Sequence, residues 1–206
     1  MTGTRGPLNG ERAFIRYSTD RGNTFREASA ASPAGDRPDF PAIAISPDGK
    51  DLYLVYDNFL RPWQATTAAP RLMQGVVRHA DIGVGGIPGA WADLYRGPTG
   101  DARGSSTNSL VAEFLGDYNY AVATREYGAA VWNDVRNAAD CPAIDTYRQA
   151  YADAVRNGAA TAVDEEIEER DAEPTALPSR PAPNTQCPAA FGNTDIFGGS
   201  YADPTP

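Results

Sequence analysis

The stretch Leu52-Tyr53-Leu54-Val55-Tyr56 is apolar at every position. A strand with one wet face alternates apolar and polar side chains, so a strand that is apolar on both sides has to be covered on both sides. Ile43-Ala44-Ile45, a few residues upstream, has the same character. Between the two, Ser46-Pro47-Asp48-Gly49-Lys50 reads as a tight turn in which Pro47 presets φ and Gly49 supplies the left-handed position. The chain therefore contains a β-hairpin that needs a partner layer against each face.

Other strands follow from the same reasoning. Residues 11–18 alternate, with Ala13, Ile15 and Tyr17 on one face and Phe14 between Arg12 and Arg16 on the other. Residues 73–82 and 90–96 extend the hairpin to a four-stranded antiparallel sheet, and a Gly/Ser/Thr-rich loop occupies residues 97–108. Ala121-Val-Ala-Thr124 then turns at Glu126-Tyr-Gly128 into Ala129-Ala-Val-Trp-Asn-Asp134, which matches Leu54-Val-Tyr-Asp-Asn58 76 residues earlier as an internal repeat. With 20 Gly and 17 Pro in 206 residues, turn-formers are too many for a helical bundle and too few for disorder throughout. Short strands covered on both faces without helices describe sheets stacked face to face around an axis, as in a propeller, whereas a sandwich covers only one face. The predicted class is all-β.

Charge and hydropathy exclude several functions. Lys and Arg number 18 against 27 Asp and Glu, for a net charge of -9, and Lys50 is the only lysine. An acidic balance without a basic face argues against nucleic acid as a partner. The apolar stretches are far shorter than the ~20 residues that span a bilayer, and no basic patch followed by an apolar core opens the chain, so neither a membrane span nor a signal peptide is expected in it.

Cys141 and Cys187 are each followed by Pro and flank a segment unlike the rest of the chain. A disulfide between them would close a long loop, stabilise by roughly 4 kcal/mol and imply an oxidising compartment; two buried free thiols are the alternative. Within residues 141–187, Pro142 opens a helix with Ile144, Tyr147, Tyr151 and Val155 at helical spacing, and Gly158 closes it. The acidic run at residues 164–173 and the prolines 174, 178, 181 and 183 cannot bury a core and read as a solvated insertion. That run holds seven acids and one Arg, -6 of the net -9. Calcium is the ion it would suit, but it lacks the Asp-x-Asp-x-Asp-Gly order of a loop site. His79, the only histidine, reads as a strand residue at a sheet surface. No cofactor and no metal are expected.

The turn Ser18-Thr-Asp20-Arg-Gly22-Asn-Thr24-Phe25 matches Ser-x-Asp-x-Gly-x-Thr followed by Trp or Phe. In it Asp20 can accept backbone N–H groups across the hairpin, Gly22 permits positive φ, and Phe25 is expected to anchor the turn in the apolar layer. It resembles the Asp-box of the sialidase superfamily and other BNR-repeat propellers. A second resemblance, to exported bacterial sialidase-like propellers, is carried by Phe114-Leu-Gly-Asp117-Tyr118, Ala130-Val-Trp132-Asn-Asp134-Val-Arg136-Asn137 and Asn193-Thr-Asp195-Ile-Phe197.

These resemblances imply a partial six-bladed-type β-propeller of about two to two-and-a-half blades with a helical and acidic insertion, a single domain over residues 1–206. Residues 11–30 would end one blade, 39–97 form a full blade and 116–201 the last. The Asp-box sits at the outer rim in that family and reports fold. The function implied is exo-sialidase-like glycoside hydrolysis or glycan binding, in an extracellular protein whose propeller is completed by missing blades or self-association. A non-catalytic binding or structural scaffold is the alternative. Family sialidases use a Tyr nucleophile with a Glu, an Asp acid/base and three arginines on the substrate carboxylate. Their Arg-Ile-Pro segment is absent here, while Glu113, Asp117, Tyr118, Tyr120, Arg125, Asp134 and Arg136 offer suitable types around one inner strand. The catalytic candidates are Asp117, Tyr118, Asp134 and Arg136. Their structural reading is an Asp-capped turn with a packed Tyr and, for Asp134 and Arg136, an ion pair at a strand end.

Overall fold

In the computed structural model, the structure describes residues 2–116, 118–157 and 177–205. These residues form antiparallel sheets, with a helical segment between the last two strands. The first sheet contains β1 (Thr2–Arg5), β2 (Arg12–Tyr17) and β3 (Arg26–Ala30) in the order β1-β2-β3. The second contains β4 (Pro38–Ile45), β5 (Asp51–Phe59), β6 (Leu72–Asp81) and β7 (Ala92–Arg96) in sequence order, with the short β8 (Gly100–Asp101) also on β6. The third contains β9 (Tyr120–Ala123), β10 (Tyr127–Asp134) and β11 (Asp195–Ala202), with β10 central. Between β10 and β11 lie α1 (Pro142–Arg156) and α2 (Pro183–Gln186).

The demand made by Leu52 to Tyr56 is met on both sides. Leu54 and Tyr56 of β5, with Val76 of β6, pack on Ala13 and Ile15 of β2 and Ala31 from the first sheet. Their neighbours Val55 and Val77 point the opposite way, onto Ala130 and Trp132 of β10. Strand alternation thus gives the middle sheet two apolar faces, each covered by another sheet. Burying one such side chain contributes about 1.5–3 kcal/mol. The repeated segments 54–58 and 130–134 lie on β5 and β10, which each pair with the strand on either side.

Three local expectations change. The first sheet has a third strand, β1, which no apolar alternation in Thr2-Gly-Thr-Arg signals and which its ladder to β2 holds, Thr2 opposite Ile15. Phe25 is 42% exposed instead of anchoring the turn, because the turn projects from the sheet. His79 is 3% exposed, since the chain after β11 closes over that end of the sheet and brings Asp203 against it.

The helix α1 starts at Pro142, as the pattern predicts, with Asp145 in its first turn and Arg156 in its last, both favourable to the helix dipole. Ile144 and Tyr147 pack with Leu110 and Cys141. Cys141 and Cys187 form a disulfide with Cα atoms 5.1 Å apart. Gly158, the run 164–173 and Pro174 lie outside the described residues, as does Asp117. No described helix is long and apolar enough to cross a membrane.

Candidate functional site

A cleft of about 450 Å³ opens where β4 begins. Its floor is Pro38-Asp39-Phe40, where the β4–β5 ladder shifts register between Asp39 and Ala42. Phe40 carries φ +46, an uncommon conformation for a bulky residue, and its amide donates to Asp39 Oδ1 at 3.0 Å. The Asn119 side chain donates to the Phe40 carbonyl at 3.1 Å and steadies the bulge. Strain of this kind costs on the order of 1–3 kcal/mol and concentrates at functional sites.

Three separate segments build the walls. Leu8, Asn9 and Glu11 come from the turn before β2, where Glu11 Oε1 accepts the Asn9 amide at 2.8 Å. The β5–β6 loop supplies Arg61, Trp63 and Arg71. Asn9 Oδ1 accepts the Trp63 amide at 2.5 Å, and the Arg71 guanidinium lies 5.9 Å from the Trp63 ring centre. The third wall is Glu113 to Gly116, in which Glu113 Oε1 pairs with Arg71 Nε at 3.0 Å.

The helical segment buttresses two of these walls. Arg148 of α1 is 1% exposed and donates to the carbonyls of Arg103 (3.0 Å), Ser105 (2.7 Å) and Ala112 (3.0 Å). That holds the loop leading into Glu113. Thr67 in the β5–β6 loop donates through its hydroxyl to the Asp145 carbonyl at 2.5 Å and through its amide to Gln149 at 3.0 Å. The β5–β6 loop is thus fixed to a helix about 80 positions further along the chain.

Electrostatics in the cleft are mixed. Burial pushes the Asp39 carboxyl above its ordinary range, and Glu11 adds to the effect. Asp57, opposite Asp39 in the ladder, is fully buried. Burial drives its pKa well above 3.8, with Asp39 and Asp134 adding and the Asn119 amide opposing. Arg37, Arg61 and Arg71 supply the positive charge. Guanidinium groups, an exposed indole and a carboxyl inclined to keep its proton can together bind a polar, ring-shaped ligand and protonate it.

The sequence candidates fall around this cleft unevenly. Tyr118 is 69% exposed and stands 6.1 Å from Tyr120, ring centre to ring centre. Asp134 is buried and paired with Arg136: its Oδ1 accepts the Arg136 amide and Nε, both at 2.8 Å, and its Oδ2 accepts Nη2 at 2.6 Å and the Trp132 indole N–H at 3.3 Å. Those bonds raise the Arg136 pKa. Arg136 also lies over the Phe197 ring, 3.8 Å from its centre. Neither residue lines the cleft; Glu113 does. Asp39, Arg37, Arg61 and Trp63 carried no motif signal, since the first two stand at the start of β4 and the other two in the β5–β6 loop, segments joined only by the fold.

Ser18, Asp20, Gly22 and Thr24 form the turn their chemistry requires. Asp20 Oδ1 accepts the Thr24 amide at 2.9 Å and the Ser18 hydroxyl at 2.7 Å, and its Oδ2 accepts the Thr24 hydroxyl at 2.6 Å. Gly22 has φ +86. None of these residues lines the cleft.

Fold and site together define an all-β protein of stacked antiparallel sheets with a largely apolar cleft, edged by arginines and carboxylates, at one strand end. No family model matches the chain, and no curated protein matches it.

Proposed function

We propose that this chain is part of a sialidase-type Asp-box propeller, exported to an oxidising compartment, whose cleft binds a glycan. The observation that carries the reading is the cleft itself, with Trp63 as a stacking face, Arg37, Arg61 and Arg71 as donors, and Asp39 as a carboxyl biased toward its protonated form. Three further features support it. The Asp-box bonds are those the turn needs to serve as a rim hairpin. The sheets stack in chain order, and the repeated segments take corresponding strands. The disulfide suits export.

Asp134 and Arg136 favour binding without turnover over catalysis, because they lie outside the cleft and their hydrogen bonds are made within the fold. Hydrolysis would instead use Asp39 as the acid, with Glu11 or Glu113 as the second carboxylate. The outward face of the third sheet leaves Tyr120, Val122, Val131 and Ile196 exposed, the face a further sheet of the same stack would cover.

The test is a glycan panel and a fluorogenic sialoside applied to the folded chain. Binding that quenches tryptophan emission and weakens at least tenfold in Trp63→Ala and Arg71→Ala supports the cleft. Turnover lost in Asp39→Asn supports the enzyme; binding without turnover leaves the binding module. A folded chain that binds none of these glycans and turns over no sialoside sinks the proposal.

A further inference from the structure

Far along the β5–β6 ladder from the cleft, Asp51 opens β5 and stands opposite Asp81, which closes β6. His79 is two residues before Asp81, so both side chains leave the same face of the sheet, the face toward β10. Asp203, the residue after β11, reaches this point because its amide bonds the Glu126 carbonyl at 2.8 Å. Two strands of one sheet and the end of another thus converge on one spot.

The donor atoms are close. His79 Nε2 lies 3.2 Å from Asp51 Oδ1, 3.8 Å from Asp203 Oδ1 and 4.0 Å from Asp81 Oδ1. All four donor atoms lie within 4.8 Å of one another. An ion bound at ~2.0–2.2 Å from each ligand sets neighbouring donors about 3–3.5 Å apart, so small side-chain rotations suffice to close around one.

Charge asks for a cation here. The side chains of His79, Asp51 and Asp203 are buried, and among the described residues no Lys or Arg ion pair reaches any of the four. One imidazole can carry at most one positive charge against three carboxylates, and buried charge has to be compensated. Hydrogen bonds from outside the set orient its members: the Thr205 hydroxyl donates to Asp81 Oδ1 at 2.5 Å and lies 3.2 Å from Asp203 Oδ1, while the Tyr53 ring packs 5.1 Å from the imidazole. Metal ligands are commonly held by such outer partners. Asp81 is largely exposed and leaves the site open to solvent on one side.

We propose that Asp51, His79, Asp81 and Asp203 bind one divalent cation that staples the end of β11 to the β5–β6 hairpin. One nitrogen and three carboxylate oxygens, without thiolate, suit a first-row ion such as Mn²⁺ or Zn²⁺. The sequence pointed to no metal because the ligands span 152 positions and only the Asp81–His79 pair is local. The inference stands apart from the glycan reading, since no ligand lines the cleft.

The test uses the full chain, stripped with EDTA and exchanged into chelator-free buffer, then titrated with MnCl₂, ZnCl₂, CaCl₂ or MgCl₂ alone. The readouts are calorimetry, thermal unfolding and the His79 ring NMR signals. The site predicts one equivalent bound, a higher Tm with Mn²⁺ or Zn²⁺, and Mn²⁺ broadening of the His79 resonances. His79→Gln and Asp203→Asn should each weaken binding at least tenfold. If either fails to fold, Asp81→Asn at the exposed ligand serves the same purpose. Absence of stoichiometric binding, a Tm gain common to all four cations that survives in the variants, or Mn²⁺ binding that leaves the His79 signals sharp overturns the proposal. So does stabilisation by Ca²⁺ or Mg²⁺ alone, because neither needs the imidazole.

Discussion

Gly75 of β6 lies directly against the Trp132 indole of β10, so that a Cβ at position 75 would sit 2.1 Å from Trp132 Nε1. The second and third sheets meet through this contact, with Tyr95 tilted against the same indole, 5.4 Å between ring centres. Gly75→Ala must therefore push the indole or separate the sheets. The expected cost is about 1–3 kcal/mol. Urea unfolding followed by circular dichroism measures it, and a variant within ~0.5 kcal/mol of the parent would contradict the packing.

Asp20 is the acidic test. The Ser18 hydroxyl first, then the Thr24 hydroxyl and amide, pull its pKa from 3.8 down to about 2. A carboxylate whose pKa is lower in the folded state contributes stability that is present above 3.8 and lost as pH falls through about 2. Asp20→Asn should have a lower Tm than the parent at neutral pH, and the gap should close as pH approaches 2. A gap that stays constant with pH would show that the charge contributes nothing to the turn.

Asp57 has the opposite sign. Its folded pKa is raised by burial, so the folded protein holds a proton that the unfolded chain releases above 3.8. Its contribution to stability is present below that pH and is lost as pH rises toward the folded value. Asp57→Asn keeps the shape without the charge. The variant should gain stability relative to the parent steadily from about pH 4 upward, as thermal unfolding across pH would record. A difference that shrinks with rising pH would mean that Asp57 is a stabilising carboxylate.

Reduction of Cys141–Cys187 opens a loop with a sequence separation of 46 and should cost about 4 kcal/mol on the chain-entropy account. Because Cys141 precedes α1 and packs with Ile144 and Tyr147, the helical signal should melt first. Helix loss also frees the β5–β6 loop, since Thr67 is bonded to Asp145 and Gln149. Glycan binding should therefore weaken in Cys141→Ser before the sheets unfold. Equal thermal stability with and without reductant would rule this out.

Local pattern carried much of the fold. The hairpin around Pro47 and Gly49, the apolar run 52–56 and the Pro142 helix start are each encoded within a few residues, and each forms where the pattern puts it. The Asp20 turn is equally local, since Ser18, Asp20 and Thr24 satisfy one another within seven positions. Phe25 and His79 depart from the local pattern for a shared reason: a turn motif or a strand position says where a side chain starts, and only the neighbouring chain decides whether it is covered.

The two sites were not legible in this way. Asp39 and Trp63 line one cleft only because a β-bulge turns one and a loop pinned to α1 carries the other, and Asp203 joins Asp51 and His79 only when the third sheet docks on the second. Sequence alone determined most of the strands, the turns and the need for cover on both faces, because those depend on side-chain period and local backbone preference; β1, without such a period, is held by its ladder to β2. Tertiary structure alone decided which carboxylates come together, because charge and burial at a point depend on every segment that reaches it, however far apart in the chain.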